Sequence, residues 1–311
     1  MYFSSIIAVA LAFATATQAQ YQYTATDKAA VAAAQATAKT LSPVSSIKGK
    51  KFDRFVQIWL ENTDFDMAAA DPSLAWIAKQ GITLTNYRAL THPSQPNYIA
   101  SVGGSLHWVL LDFDIHINPK EKTIVDLLEP AGVSYSVYGE DMPYSGFQGD
   151  YVNQQNGANA YVRKHNPLIS YDSFASVEDR LAKSKNFTMF QKEVATGMLP
   201  QWIFLTPNMT NDGHDSSVTV AGKWAKSFLE PLLTNKNFMQ NTLILLTFDE
   251  TENYLSKNKV FSVLLGDAVP ANLHGTKNDT AYTHYSIMKT VENNWNLGNL
   301  GQRDANATPF F

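Results

Sequence analysis

TLILLTFDE, residues 242–250, decides the fold: seven residues carry no charge and then stop on two acids. A strand with one wet face alternates apolar with polar residues, whereas an unbroken apolar run of this length requires cover on both faces. WIFLTP (202–207) repeats the pattern, and FVQIWL (55–60) runs into Glu61 and Asn62. Around these three lie the strand-like segments ITLTNYRAL, VSYSVYGE and FSVLLG. They alternate with helical patterns such as LAWIAKQ, NYIASVGG, TIVDLLEPAG, VAGKWAKSFLEPLL and HYSIMKTVENNW. That alternation predicts an α/β domain with a mostly parallel central sheet and helices on both faces.

In open α/β sheets, ligands bind beyond the carboxyl ends of the strands. The residues standing there are Glu61 and Asn62, Glu140 and Asp141, Asn208, and Asp249 and Glu250. Adjacent acids at the end of an apolar strand are costly to desolvate unless a cation compensates, although a single acidic strand end also serves as a helix cap. Glu61, Asn62, Asp249 and Glu250 are therefore candidate metal ligands. Their oxygen donors suit a hard divalent ion, Mg, Ca or Mn, and a chain without cysteine argues against a soft-metal site.

Between these acidic ends lies THPSQPNYIASVGG, residues 91–104. Proline suits the first helical position, so Pro96 predicts Gln95 as the N-cap and Ser94 just outside the helix. Free N–H groups near Asn97 and Tyr98 then face the place where an anion would lie. A plain turn serine fits the same residues. With acids on both sides in sequence, Ser94 becomes a candidate nucleophile, expected within about 4 Å of Asp249 or Glu250. Asn62 and Asn97 are candidates for substrate binding. The small residues Ala100, Ser101, Gly103 and Gly104 predict close packing of the helix on the sheet. Histidines occupy polar loops nearby, His165 in RKHNP, His214 in TPNMTNDGHD and His284 in YTHYS, where each can be structural or chemical.

The ordered motifs ENTDFD, HPSQPNY, KHNP, TPNMTNDGHD and TFDE resemble the phosphoesterase family of secreted fungal and bacterial acid phosphatases and bacterial phospholipases C, from about Phe52 to Trp295. More distantly, the chain is similar to the alkaline phosphatase superfamily, which implies an alkaline phosphatase-like core. The resemblance implies that Ser94 is the nucleophile, that Glu61, Asn62, Asp249 and Glu250 surround a metal, and that His165 and His214 line the phosphate pocket as catalytic residues. Asn208 stands where the superfamily has an aspartate ligand for a second metal, and no histidine follows Asp249; together these imply one divalent ion. The implied activity is hydrolysis of small phosphate monoesters through a metal-assisted phosphoserine. A phospholipase C or other phosphodiesterase, or an inactive cell-wall glycoprotein on the same fold, are the alternatives.

The remaining sequence bounds the setting. At 311 residues, with 45% hydrophobic and 12% aromatic content, the chain can bury a sizeable core. A net charge of -4 with scattered Lys and Arg argues against a nucleic-acid partner. Residues 1–19 read as a signal peptide closing on Thr17 and Ala19, too interrupted by polar residues for a membrane anchor, so a secreted, extracellular or cell-wall location is expected. Residues 20–50 read as an N-terminal arm, either a short helix or mobile, and 51–311 as a single phosphoesterase domain. Within it, the polar, Gly- and Asn-rich stretch 144–173 is expected to face substrate. Acceptor triplets at Asn186, Asn278 and Asn306 are candidate glycosylation sites. The fourth, at Asn208, is expected to stay unmodified, because a glycan on the pocket rim would obstruct substrate.

Overall fold

A computed structural model describes residues 27–311; the expected signal peptide lies outside these residues. Among the described residues, eight strands form one sheet: β1 (Arg54–Leu60), β2 (Ile82–Leu84), β4 (Tyr135–Gly139), β7 (Ser184–Asn186), β8 (Trp202–Thr206), β9 (Thr242–Phe248), β10 (Ser262–Leu265) and β11 (Thr276–Asn278). Their spatial order is β11-β2-β10-β9-β1-β8-β4-β7. Two small ribbons pair β3 (Tyr87–Arg88) with β12 (Tyr282–Thr283) and β5 (Tyr151–Val152) with β6 (Asn159–Tyr161).

All neighbours in the main sheet are parallel except at β10, which runs against both β9 and β2. No crossover helix separates β9 from β10, so their connection, 249–261, arches over the carboxyl edge of the sheet. Every residue of β9 and β8 is buried, as the continuous apolar runs require. α1 (Lys28–Thr37) lies on the 142–161 segment, and the main helices around the sheet are α2 (Pro72–Ala78), α3 (Ser94–Gly103), α4 (Phe187–Thr196), α5 (Val218–Thr234) and α6 (His284–Trp295). α2 packs with α5, and α3 with α6.

Register decides which side chains meet at the edge. Leu60 pairs with Phe248, so the residues that follow, Glu61 and Asp249, emerge side by side. Gly139 pairs with Thr206, which sets Glu140 beside the turn after β8. The stretch 144–173 carries β5, β6 and a 3-10 turn, Arg163–His165, that delivers His165 to the same edge.

The N-terminal segment is attached along its described length. Val31 and Ala34 of α1 pack with Met142, Tyr144, Phe147 and Tyr161. Beyond the helix, Thr40 bonds to Ser145 at 2.7 Å and Ser45 to Gln201 at 2.6 Å. Short polar side chains crossing a folded surface make such bonds in place of bulky apolar contacts, which is why the composition reads as an arm.

At the far end, α6 packs against the turn Arg303–Asn306. There Glu292 is buried without a hydrogen-bond partner for either carboxyl oxygen. Burial, with Asp304 beside it, pushes the Glu292 carboxyl up to about 8 from 4.5. A raised folded-state value means that between pH 4.5 and 8 the unfolded chain releases a proton that the folded chain keeps, so stability falls as the pH rises through that window. Glu292→Gln is therefore expected to raise Tm by roughly 2–5 °C at pH 8 and hardly at pH 4.5. Melting curves showing the same difference at both pH values would contradict this.

Candidate active site

Ser94 is the first residue of α3, with Pro93 as the N-cap in extended geometry. The helix thus begins one position before the expected cap and two before Pro96. Proline is tolerated throughout the first helical turn because those N–H groups have no partner inside the helix, so Pro96 marks the turn without marking its first residue. One first-turn donor is already engaged: the Gln95 N–H donates to Asp112 Oδ1 at 2.9 Å. Asn97 also departs from expectation. Its Oδ1 accepts the N–H groups of Leu90 and Thr91, and its Nδ2 donates to Thr91 O, so the carboxamide holds the loop that carries Ser94. The glycine pair has local causes as well. A Cβ on Gly103 would stand 1.9 Å from the Tyr171 hydroxyl, and Gly104 closes the helix at φ 68°.

The Ser94 hydroxyl is buried among acids. Its Oγ lies 3.1 Å from Glu61 Oε2, 3.4 Å from Glu250 Oε1 and 3.5 Å from Asn62 Oδ1. Asn62, at φ 48°, turns its N–H to Asp249 Oδ1 at 3.0 Å. Glu61 accepts a short hydrogen bond from the Tyr98 hydroxyl one turn along α3, and its other oxygen lies 3.4 Å from His165 Nε2. The opposite nitrogen of His165 is 3.4 Å from Asp212 Oδ2. Tyr98 stacks on the His165 ring at 5.1 Å, and His214 stands 5.9 Å from that ring on the outer side.

Glu61, His165 and Asp212 each offer a ligand atom within 4.8 Å of the others, and all three are buried. The donor set fits a metal ion, because His165 Nε2, Asp212 Oδ2 and Asp249 Oδ2 are buried with no hydrogen-bond partner. Electrostatics agree. Burial and the nearby Asp249 and Asp212 hold the Glu61 carboxyl well above the usual range, and burial raises Asp212 likewise. Burial pushes Asp249 up to about 6, and burial with repulsion from Asp249 pushes Glu250 up to about 9. Burial, with Lys164 and His214 nearby, keeps His165 well below its ordinary value, hence as the neutral imidazole a metal takes. Glu61, Asp212, Asp249 and Glu250 are thus four desolvated acids in one cluster, an arrangement that a bound cation would stabilise.

Several participants escape a strand-end reading. Asp212 lies six residues past β8, in a turn closed by its own N–H to Asn208 O at 2.8 Å. Its only sequence signal is its place in NDGHD. Asn208, the position compared with a metal-binding aspartate, donates instead to Asp141 and caps that turn through Oδ1, so Asp212 is the carboxylate this segment brings to the cluster. His92 approaches Glu250 Oε2 at 2.8 Å and stacks on Tyr254 at 4.1 Å. His284 faces away from Ser94: its Nε2 donates to Asp249 O at 2.7 Å and its Nδ1 accepts from the Tyr87 hydroxyl. Glu140 and Asp141 likewise serve the 208–212 turn.

The mostly parallel sheet, with a buried hydroxyl against carboxylates at its carboxyl edge, has an alkaline phosphatase-like α/β architecture. A Vibrio parahaemolyticus protein in the alkaline phosphatase superfamily matches with a TM-score of 0.51 at 11% identity, over 91% of this chain and 80% of that one, a likeness of fold. The chain belongs to the phosphoesterase family, whose model matches residues 14–298. It is 53% identical to a probable acid phosphatase of Kluyveromyces lactis over 89% of this chain and 66% of that protein, and 50% identical to an acid phosphatase of Aspergillus fumigatus over 89% and 62%. It thus spans slightly under two thirds of the length of these fungal relatives.

Proposed function

We propose that the chain is a secreted phosphomonoesterase of the acid phosphatase type, working through a phosphoserine on Ser94. The observation that carries this reading is the buried Ser94 hydroxyl at the start of α3, 3.1 Å from Glu61 Oε2 and 3.4 Å from Glu250 Oε1. The fungal relatives named as acid phosphatases support it.

Ser94 Oγ passes its proton to Glu250, acting in its ionised form, as it forms a bond to phosphorus in line with the departing ester oxygen, which leaves Glu61 to the ion. That oxygen takes a proton from His214, whose Nδ1 is held 2.7 Å from Asp215 Oδ1. In the return half, His214 takes a proton from water as the water oxygen bonds to phosphorus, and Ser94 Oγ leaves with the proton held by the carboxylate. Asn62 holds the phosphoryl group beside Ser94. Glu61, His165 and Asp212, with Asp249 and Glu250 adjacent, are the residues that would hold a divalent ion, which when bound supplies charge to offset the acids and to stabilise the phosphoryl oxygens. The His165 nitrogen extends the expectation of Mg, Ca or Mn to ions that favour imidazole, such as Zn or Fe.

Of the three candidate glycan sites, Asn306 has the most accessible amide, being exposed. Asn186 caps α4 through Oδ1, and Asn278 donates to the Tyr282 hydroxyl. Asn208 Nδ2 is bonded to Asp141, consistent with an unmodified residue.

Comparing p-nitrophenyl phosphate with bis(p-nitrophenyl) phosphate tests the reaction class. The monoester is expected to show a kcat/KM at least about 100-fold higher. Preference for the diester would move the assignment to a phosphodiesterase such as a phospholipase C.

A further inference from the structure

Beside the Ser94 cluster the surface opens into a cleft of about 510 Å³, walled by the 112–114 loop and by segments 148–150 and 162–164. Its wall is tied directly to the reaction centre. Asp112 accepts the N–H of Gln95, the residue after Ser94, and takes Lys164 Nζ on its other oxygen at 2.7 Å. Lys164 precedes His165, so the cleft adjoins the cluster at the 163–165 turn.

The chemistry of the lining selects among alcohols. Arg163 is 6% exposed, donates through Nη2 to Ile169 O at 2.9 Å and faces Asp114 Oδ1 through Nε, yet its Nη1 is buried with no acceptor. Such a donor calls for an oxygen from a ligand. Three carboxylates, Asp112, Asp114 and Asp150, face two cations, Arg163 and Lys164, so a leaving group bearing further negative charge is disfavoured. Phe113 and Val162 are the apolar side chains of the lining. Hydroxyl groups satisfy both kinds of partner: they donate to carboxylates and to the Gln148 amide oxygen, and they accept from the guanidinium. Phe113, 64% exposed at this wall, offers a flat face to the C–H side of a sugar ring.

Resting on the phosphomonoesterase reading, the geometry points to this cleft as a leaving-group subsite for a polyhydroxylated alcohol, making sugar phosphates the substrate class. Glucose 6-phosphate and butyl phosphate, both esters of primary alcohols, isolate the contribution of the ring and its hydroxyls. The wild-type kcat/KM is expected to be at least about tenfold higher for glucose 6-phosphate, and Phe113→Ala and Arg163→Lys are each expected to cut that ratio about three- to tenfold. Phe113 is a surface residue, so its variant remains informative if the buried Arg163 variant fails to fold. Equal values for the two esters in the wild type, or a ratio unmoved by Phe113→Ala, overturns the sugar subsite and leaves the phosphatase reading standing. Failure to hydrolyse either ester or p-nitrophenyl phosphate overturns the phosphatase reading itself, and the subsite with it.

Discussion

Ser94→Ala is expected to lower kcat for p-nitrophenyl phosphate by at least about 1000-fold while the protein stays folded. The change removes one oxygen from a buried site and leaves the backbone of α3 in place, including the Gln95 N–H to Asp112 bond that anchors its first turn. No other hydroxyl is bonded to both Glu61 and Glu250, so no neighbour among the described residues can take over the attack. Circular dichroism and a melting curve would establish folding. Activity above about a tenth of the wild-type value would exclude Ser94 as the nucleophile.

Removal of divalent ions is expected to abolish activity and to lower Tm by at least about 5 °C at pH 7. The cause is the repulsion left among Glu61, Asp212, Asp249 and Glu250. Their folded-state values are all raised, so the metal-free protein loses stability as the pH rises, for Glu250 across the window from 4.5 to about 9. Ion binding works in the opposite direction, because its ligands must shed protons and affinity therefore increases with pH. The Tm gap between ion-loaded and chelated protein should widen from pH 5 to pH 8. Asp212→Asn retains an oxygen for the His214 N–H, now 2.8 Å from Asp212 Oδ1, while removing the charge, and should weaken ion affinity by roughly 10- to 100-fold. Full activity after exhaustive chelation, or unchanged metal content in Asp212→Asn, would remove this group as the metal site.

The helix of residues 94–103 shows how far local signals reach. Two prolines locate its start to within two residues, since proline favours the first turn, but they cannot say which N–H groups remain free. That depends on Asp112, seventeen residues away in the chain and brought to Gln95 by the returning loop. Asn97 was equally open in sequence, because a carboxamide bonds a loop backbone as readily as a ligand, and only the folded loop presents the N–H groups of Leu90 and Thr91 to it.

The sheet and its reactive edge are legible in the order of residues along the chain. Continuous apolar runs such as TLILLTF cannot face water on either side, so they must become covered parallel strands, and the polar residues directly after them must gather at one edge. Membership of Glu61, Asp249 and Glu250 in the cluster follows from that rule and from the pairing of Leu60 with Phe248. KHNP marks His165 as a candidate, but the rest of the site depends on how the folded loops converge. Asp212, His165 and His92 arrive on turns and loops, where no periodicity constrains direction, and their convergence on Glu61 and Glu250 depends on chain segments separated by roughly 50 to 160 residues.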